Sequence, residues 1–364
     1  MDTEQNGENE VIRMVDDKVL YLFSSSHRRI YKQDNMNVLC YPPGFIMHFR
    51  YDRKWIGNEI TRKKPDDFID NEAIIVIVDI EKSDKKYFPR FYPVRKAKIK
   101  KVDMAGSALH IYFELLPDWV VYENNTKLKD YQSCINSLRE KPIEGIGRLE
   151  GKFVSFEELS PDIKFSPRTK AWESIIRKIG NLEPYKKTLF YKLDKFCEVK
   201  SNKDLKITKF DDIKCGYILE SGKRYNLELS FDYGKEPPTE ADKEKLIVKV
   251  EEENFYTPIP NKIALSFRVD KQSIYLSTKE RFFDGLTYLI ITFEKELIEG
   301  PNVVIPIRVK YNRLRIWSSF LIFFIGLILT SGVIQIYQVP QYALKLLGSF
   351  ISTSVMFWLY REIK

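Results

Sequence analysis

The segment RYNLELSF, residues 224–231, alternates polar and apolar side chains without a break. Successive side chains of a strand point to opposite faces, so one face of this segment is apolar. Similar patterns recur at residues 246–250, 262–269, 274–276, 288–293 and 303–309. We therefore predict that residues 201–312 form an antiparallel β-sandwich of immunoglobulin-like type. The Cys–Trp–Cys core pattern of antibody domains is absent, so the prediction concerns architecture alone.

The composition changes sharply after this region. Residues 316–337 read IWSSFLIFFIGLILTSGVIQIY and carry no charge, and residues 342–360 carry only Lys345. Each run has about 20 residues, enough for a helix to cross a hydrocarbon core of about 30 Å. Residues 313–364 are therefore predicted to form a transmembrane hairpin with spans at 316–337 and 342–360. Small residues are predicted to let its helices pack closely, within one hairpin or between copies: Gly326, Gly332, Gly348 and Ser352.

Flanking charges predict the orientation of this hairpin. Lys and Arg precede the first run and follow the second, and residues 338–341 between them carry none. The positive-inside rule then places both termini in the cytoplasm, and the acidic, polar N-terminus does not resemble a secretory signal. We expect an integral protein of the inner or plasma membrane. The alternative is an extracellular domain glycosylated at Asn124, within the triplet Asn-Asn-Thr at 124–126.

The N-terminal half is predicted to be mainly β. Residues 1–12 are expected to be disordered, and residues 13–160 contain short apolar runs separated by turn sequences, including 19–23, 38–41, 45–51 and 73–80. This pattern favours a small barrel or sandwich. A two-helix connector is predicted at 161–200. Ser166-Pro167 begins one helix, and Pro184 begins a second whose apolar face comprises Tyr185, Leu189, Leu193 and Phe196.

The densest positive run, residues 90–101, is the predicted binding surface. Strand alternation places its lysines on one face, beside tyrosine on the neighbouring strand. Such a surface suits a protein partner, a nucleic-acid backbone or anionic lipid headgroups, and the alternative is a solvated strand whose lysines block edge pairing. The candidate residues are Arg90, Arg95, Lys96, Lys98, Lys100, Lys101 and Tyr112. Charge reversal at Lys96, Lys98 and Lys100 is expected to abolish binding.

Catalytic motifs are absent from the sequence. The four cysteines have no CxxC spacing, which argues against a disulfide framework or a zinc ribbon. The three histidines, His27, His48 and His110, share no ligand spacing, so we predict no metal and no cofactor. Asp79 and Glu81 end an apolar strand, but neither has the acid-x-lysine spacing of metal-dependent nucleases.

These features favour a membrane-anchored, cytoplasm-facing binding protein, a sensor or adaptor, with no enzymatic activity. Its expected partners are the lipid bilayer and a protein partner or further copies of the chain, with nucleic acid as a weaker expectation. The first alternative is an oligomerising, membrane-perturbing effector of a toxin or antiviral defence system. The second is a divergent metal-dependent nuclease centred on Asp79 and Glu81.

Overall fold

The computed structural model describes residues 18–25, 28–53, 56, 58–83, 86–122, 152–159, 163–235, 239, 241–265, 271–280, 284–311, 313–331 and 339–363. The structure is 47% strand and 26% helix, which confirms the mainly β prediction. The predicted disordered segment 1–12 and the Asn124 triplet lie outside the described residues.

The N-terminal part is a curled mixed sheet. Its strands are β1 (Lys18–Ser25), β2 (Ile46–Asp52), β3 (Glu72–Ser83), β4 (Lys86–Ala105), β5 (Ala108–Val120), β6 (Lys152–Glu158) and β7 (Phe165–Ser166). The order is β2-β5-β4-β3-β1-β6, with β7 paired to β5. Strands β1 and β3 are parallel, and an isolated bridge from Ile56 to Val154 connects the two ends of the sheet. The apolar run at 73–78 is fully buried at the centre of this sheet, as its sequence predicted.

A helix that the sequence did not reveal connects β1 to β2. This helix, α1 (Arg29–Cys40), is followed by the short α2 (Asn58–Arg62) and a 3-10 turn at Pro65–Phe68. The predicted strand at 38–41 is therefore wrong, because Val38, Leu39 and Cys40 form the last turn of α1. All three are buried, so their apolar character reflects packing against the sheets.

The predicted two-helix connector is half correct. Helix α3 (Thr169–Ile179) is present, and a 3-10 turn at Glu183–Tyr185 follows it. The second predicted helix is instead strand β8 (Phe190–Glu198), paired with a strand of the sandwich region. A register shift beside Asp194 inserts one extra residue between Leu193 and Phe196. Such a bulge turns a two-residue repeat into an apparent helical spacing, which explains the wrong prediction.

The C-terminal β region contains two sheets. Its strands are β9 (Thr208–Lys209), β10 (Cys215–Glu220), β11 (Arg224–Asp232), β12 (Lys245–Val250), β13 (Lys262–Ala264), β14 (Lys271–Ser277), β15 (Gly285–Phe293) and β16 (Val303–Lys310), with a 3-10 turn at Ala241–Lys243. The sheets have the orders β13-β12-β15-β16-β10-β9 and β14-β11-β8. Their apolar side chains share one buried cluster with those of the N-terminal sheet. The immunoglobulin-like type and the domain boundaries at 160 and 200 stay predictions.

The C-terminal segment forms a hairpin of two helices, α4 (Arg313–Ser331) and α5 (Gln341–Ile363). Among the described residues, none of the helices combines the length and the apolar character that crossing a bilayer requires. Helix α4 starts with Arg313 and Arg315 and is described only to Ser331, whereas the predicted span ran to Tyr337. This finding overturns the prediction of a transmembrane hairpin, and with it the predicted location as an integral membrane protein.

Candidate functional site

Arg95, one of the predicted binding residues, does not lie on the surface. Its side chain is fully buried and donates hydrogen bonds to the carbonyl oxygens of Val38, Tyr41 and Leu116 at 2.7–2.8 Å. Its guanidinium group stacks over Trp119, with 4.2 Å to the ring centroid. Burial lowers the pKa of Arg95 to about 9, so it remains charged at neutral pH. Its inclusion in an exposed binding surface was therefore wrong, and its contacts hold the end of α1 against β4 and β5.

The four lysines of β4 between residues 96 and 101 do lie on one face, but each has a carboxylate partner. The four ion pairs are Lys96–Glu72 at 2.9 Å, Lys98–Asp70 at 2.9 Å, Lys100–Glu114 at 2.8 Å and Lys101–Asp103 at 2.9 Å. Hydrogen bonding to Asp103 raises the pKa of Lys101, and the matching contact with Lys98 lowers the pKa of Asp70. The predicted basic surface therefore carries paired charges rather than a concentrated positive field.

The predicted nuclease residues are only partly described. Asp79 is buried on β3 and lies directly opposite the exposed Arg90 in the β3–β4 register. The side chain of Glu81 lies outside the described residues. Within the part of the chain that the structure describes, no group of three or more His, Cys, Asp or Glu side chains is placed to hold a metal ion.

Tyr112 belongs to a ladder of rings on the outer face of β2 and β5. Its ring stacks on His48 with 4.5 Å between centroids, and Nε2 of His48 lies 2.9 Å from Nδ1 of His110. The planes of the two imidazoles are parallel within 2°, with 5.0 Å between the ring centroids. The register pairs His48 with Tyr112 and Arg50 with His110. Sequence spacing did not reveal this group, because 62 residues separate the two histidines.

A polar groove lies along the exposed face of α3. Its volume is about 460 Å³, and it is lined by Tyr122, Lys170, Glu173, Ser174, Arg177, Lys178 and Asn181. The lining residues of α3 recur at intervals of three and four, so they share one face of the helix. The opposite face is buried through Trp172, Ile175, Ile176 and Ile179. The indole nitrogen of Trp172 also donates a 2.9 Å hydrogen bond to the carbonyl oxygen of Leu39.

The cations of this groove differ from those of β4. Lys170, Arg177 and Lys178 form no ion pair with any residue that the structure describes. Arg177 and Lys178 occupy the last turn of α3, where a positive charge favours the helix dipole. Lys170 is the second residue of α3, where the same dipole opposes a positive charge, and the first turn contains no acidic residue. Helix stability therefore does not account for Lys170, and the described residues that line the groove carry a net positive charge.

A larger groove of about 730 Å³ lies at the end of β11 and β14. Its walls include the exposed side chains of Tyr256, Ile259 and Tyr275. Lys223, which also lines it, forms ion pairs with Glu198 and Glu220. The chemistry of this lining is mainly apolar and specifies no charge for a ligand.

The small residues of the hairpin contact each other within the hairpin. A Cβ atom on Gly348 would lie 2.5 Å from the carbonyl oxygen of Gly326, and one on Gly326 would lie 2.5 Å from Oγ of Ser352. Three of the four predicted packing residues therefore join α4 to α5, and Gly332 lies outside the described residues. Large apolar side chains face outward from both helices, including Trp317 and Phe350. Self-association stays a prediction.

No protein-family model matches this chain, and no curated protein matches it. A functional assignment therefore depends on the geometry of these sites alone.

Proposed function

We propose that the protein is a non-enzymatic binding protein that holds an acidic segment of a protein partner in the α3 groove. One observation carries this proposal: three cations line a groove of about 460 Å³ without an ion pair to any described residue. An exposed cation without an ion pair to a described residue is available to a partner's carboxylate. Complementary charge across an interface steers association and selects among partners.

The spacing of the cations indicates the chemistry of the partner. Lys170 and Arg177 are seven residues apart on one helix, which corresponds to about 11 Å along its axis. Glu173 lies between them and also lines the groove. A nucleic acid presents closely spaced phosphates, with one charge per roughly 1.7 Å of duplex axis, and would place one of them against Glu173. A protein segment with separated carboxylates avoids this repulsion, so we favour a protein partner over nucleic acid.

The support beneath the groove is rigid. The apolar face of α3 is buried, and its Trp172 hydrogen-bonds to the last turn of α1. The amide of Asn181 donates a 2.7 Å hydrogen bond to the carbonyl oxygen of Arg177, and the hydroxyl of Tyr122 donates one of 2.8 Å to that of Pro93. A binding surface on an ordered helix loses little conformational entropy when the partner binds.

The experiment compares two triple substitutions that change the charge equally. Lys170→Gln/Arg177→Gln/Lys178→Gln removes the unpaired cations, and Lys96→Gln/Lys98→Gln/Lys101→Gln removes paired cations of β4. The probe is a fluorescein-labelled glutamate-rich peptide, and its binding to the full chain is followed by fluorescence anisotropy at two salt concentrations. A single-stranded oligonucleotide of equal charge is titrated in parallel.

We expect the α3 variant to lose at least about tenfold in peptide affinity, while the β4 variant keeps it within about threefold, because its lysines already have partners. Equal losses in both variants would indicate non-specific charge attraction and refute the proposal. A loss confined to the β4 variant would refute the proposal and identify the lysines of β4 as the binding surface. Tighter binding of the oligonucleotide would identify nucleic acid as the partner.

The alternative functions have less support. The effector hypothesis requires membrane insertion, and among the described residues no helix has the length and apolar character for it. Its small residues contact each other within the hairpin. The nuclease hypothesis has one described carboxylate, Asp79, and it lies opposite a cation.

A further inference from the structure

His48 and His110 bring two imidazole nitrogens together on the outer face of the curled sheet. Their approach of 2.9 Å joins Nε2 of one ring to Nδ1 of the other. His48 is exposed and His110 is half-buried, so solvent reaches the pair. We propose that these two side chains form a surface binding site for a divalent transition metal ion, with zinc as the expected occupant. This site is separate from the α3 groove and does not depend on the proposed function.

The geometry of the pair is close to that of two ligands on one ion. Zinc binds histidine nitrogen at about 2.0–2.1 Å, and in a tetrahedral site two such nitrogens are about 3.3 Å apart. The observed contact is a hydrogen bond in which one imidazole donates its N–H to the other. An ion therefore replaces that shared proton, and the two nitrogens move apart by about 0.4 Å as their lone pairs turn towards the ion. Imidazole nitrogens suit zinc, copper and nickel and do not suit calcium or magnesium, which prefer oxygen ligands.

The strands orient the rings before an ion binds. His48 lies opposite Tyr112 in the β2–β5 register and stacks on its ring. Neighbouring cations are already paired: Arg50 lies 3.8 Å from a carboxylate oxygen of Asp52, and Lys101 pairs with Asp103. Positive charge beside the pair is therefore partly compensated, which reduces the repulsion of an incoming cation.

The described residues supply two ligands and no third. Zinc usually takes four, and sites with an open position fill it with water or with a group from a bound molecule. We therefore expect a site of modest affinity whose free positions can accept a donor from a binding partner. Because the site has two protein ligands, substituting either histidine tests it directly.

The experiment is isothermal titration of ZnCl₂ into the full chain without a histidine tag, in a Cys134→Ser background that removes a competing thiol outside the described residues. His48→Gln and His110→Gln keep side chains that form hydrogen bonds, and His27→Gln removes the third and last histidine of the chain. We expect one equivalent of zinc to bind. Each of the first two substitutions should reduce the affinity at least about tenfold, since even residues behind a metal ligand contribute 10–100-fold. His27→Gln should leave the affinity unchanged.

The absence of stoichiometric binding would refute the proposal, as would affinity that survives either His48→Gln or His110→Gln. Loss on His27→Gln would assign the metal to another part of the chain. A second measurement needs no substitution of the two histidines. Zinc should protect both from modification by diethyl pyrocarbonate, as read by peptide mass spectrometry, and unchanged modification would also refute the proposal.

Discussion

Replacing Arg95 by methionine tests a fully buried charge at the end of α1. Arg95 is fully buried and donates to three backbone carbonyl oxygens, two of which belong to the end of α1. Methionine keeps much of the side-chain volume and removes the charge and every donor. Two opposing effects then decide the stability of the variant.

The magnitude follows from the contacts. Each buried carbonyl left without a donor costs about 1–3 kcal/mol, and the lost stacking over Trp119 adds about 2 kcal/mol. Methionine also relieves the burial of a charge. Lowering the pKa of Arg95 from 12.5 to about 9 corresponds to roughly 5 kcal/mol of unfavourable burial. With about 2 kcal/mol for each of the three carbonyls, the variant loses about 8 kcal/mol of hydrogen bonding and stacking and regains about 5 kcal/mol of burial cost. We therefore expect its free energy of unfolding to be lower by about 3 kcal/mol.

Urea unfolding followed by tryptophan fluorescence measures this change. The matched control is Arg224→Met, an exposed arginine at the start of β11, and surface substitutions usually stay within about 0.5 kcal/mol. Equal or greater stability of Arg95→Met would refute the reasoning. It would mean that the buried charge costs more than its hydrogen bonds contribute, as happens in some buried ion pairs.

Three further predictions concern packing and pH. Gly348→Val should weaken the packing of α4 on α5 by about 2 kcal/mol, because the added side chain would meet the backbone of α4. Limited proteolysis within 313–363 should then be roughly 30-fold faster. Leu347→Val, at an exposed site, should leave the rate unchanged. Gly216→Ala should destabilise by about 2 kcal/mol or more in urea, because its Cβ would lie 1.9 Å from a backbone carbonyl oxygen; Gly106→Asn, in open space, should have little effect. Burial raises the pKa of Tyr41 to about 12 from 10.0, so the unfolded chain loses this proton first and stability should fall between pH 10 and pH 12. The fall of the urea midpoint over that interval should be shallower in Tyr41→Phe, and an identical slope would contradict this reasoning.

Patterns that involve neighbouring residues were predictable from the sequence. The alternation at 224–231 correctly indicated a strand with one buried face, because side-chain direction follows from backbone geometry alone. Strand β8 was mistaken for a helix because its bulge depends on pairing with β11, and the sequence of β8 by itself does not specify that partner. Helix α1 was missed since no side chain caps its start and its first turn has no acidic residue. Its helical form depends on contacts such as that of Arg95 with Val38 and Tyr41.

The candidate sites depend still more on tertiary structure. His48 and His110 meet because β2 pairs with β5, a pairing between segments that lie far apart in the chain. The Tyr41 hydroxyl donates to the carbonyl oxygen of Val304 and accepts from its amide, which joins the N-terminal part to the first residues of β16. No local pattern predicts either contact. Only the chemical type of each side chain was visible in the sequence.

The pairing of strands explains why the densest basic run carries little unpaired positive charge. Residues 90–101 lie in an antiparallel sheet whose neighbouring segments contribute acids at matching positions, such as Glu72 opposite Lys98 and Glu114 beside it on β5. Like charges directly opposite one another destabilise a sheet, so a lysine-rich strand is favoured next to strands that compensate it. A surface helix has no neighbouring strands on its exposed face, so cations there can stay unpaired at little cost to the stability of the fold. Among the described residues that line the α3 groove, three cations accompany one acid, Glu173.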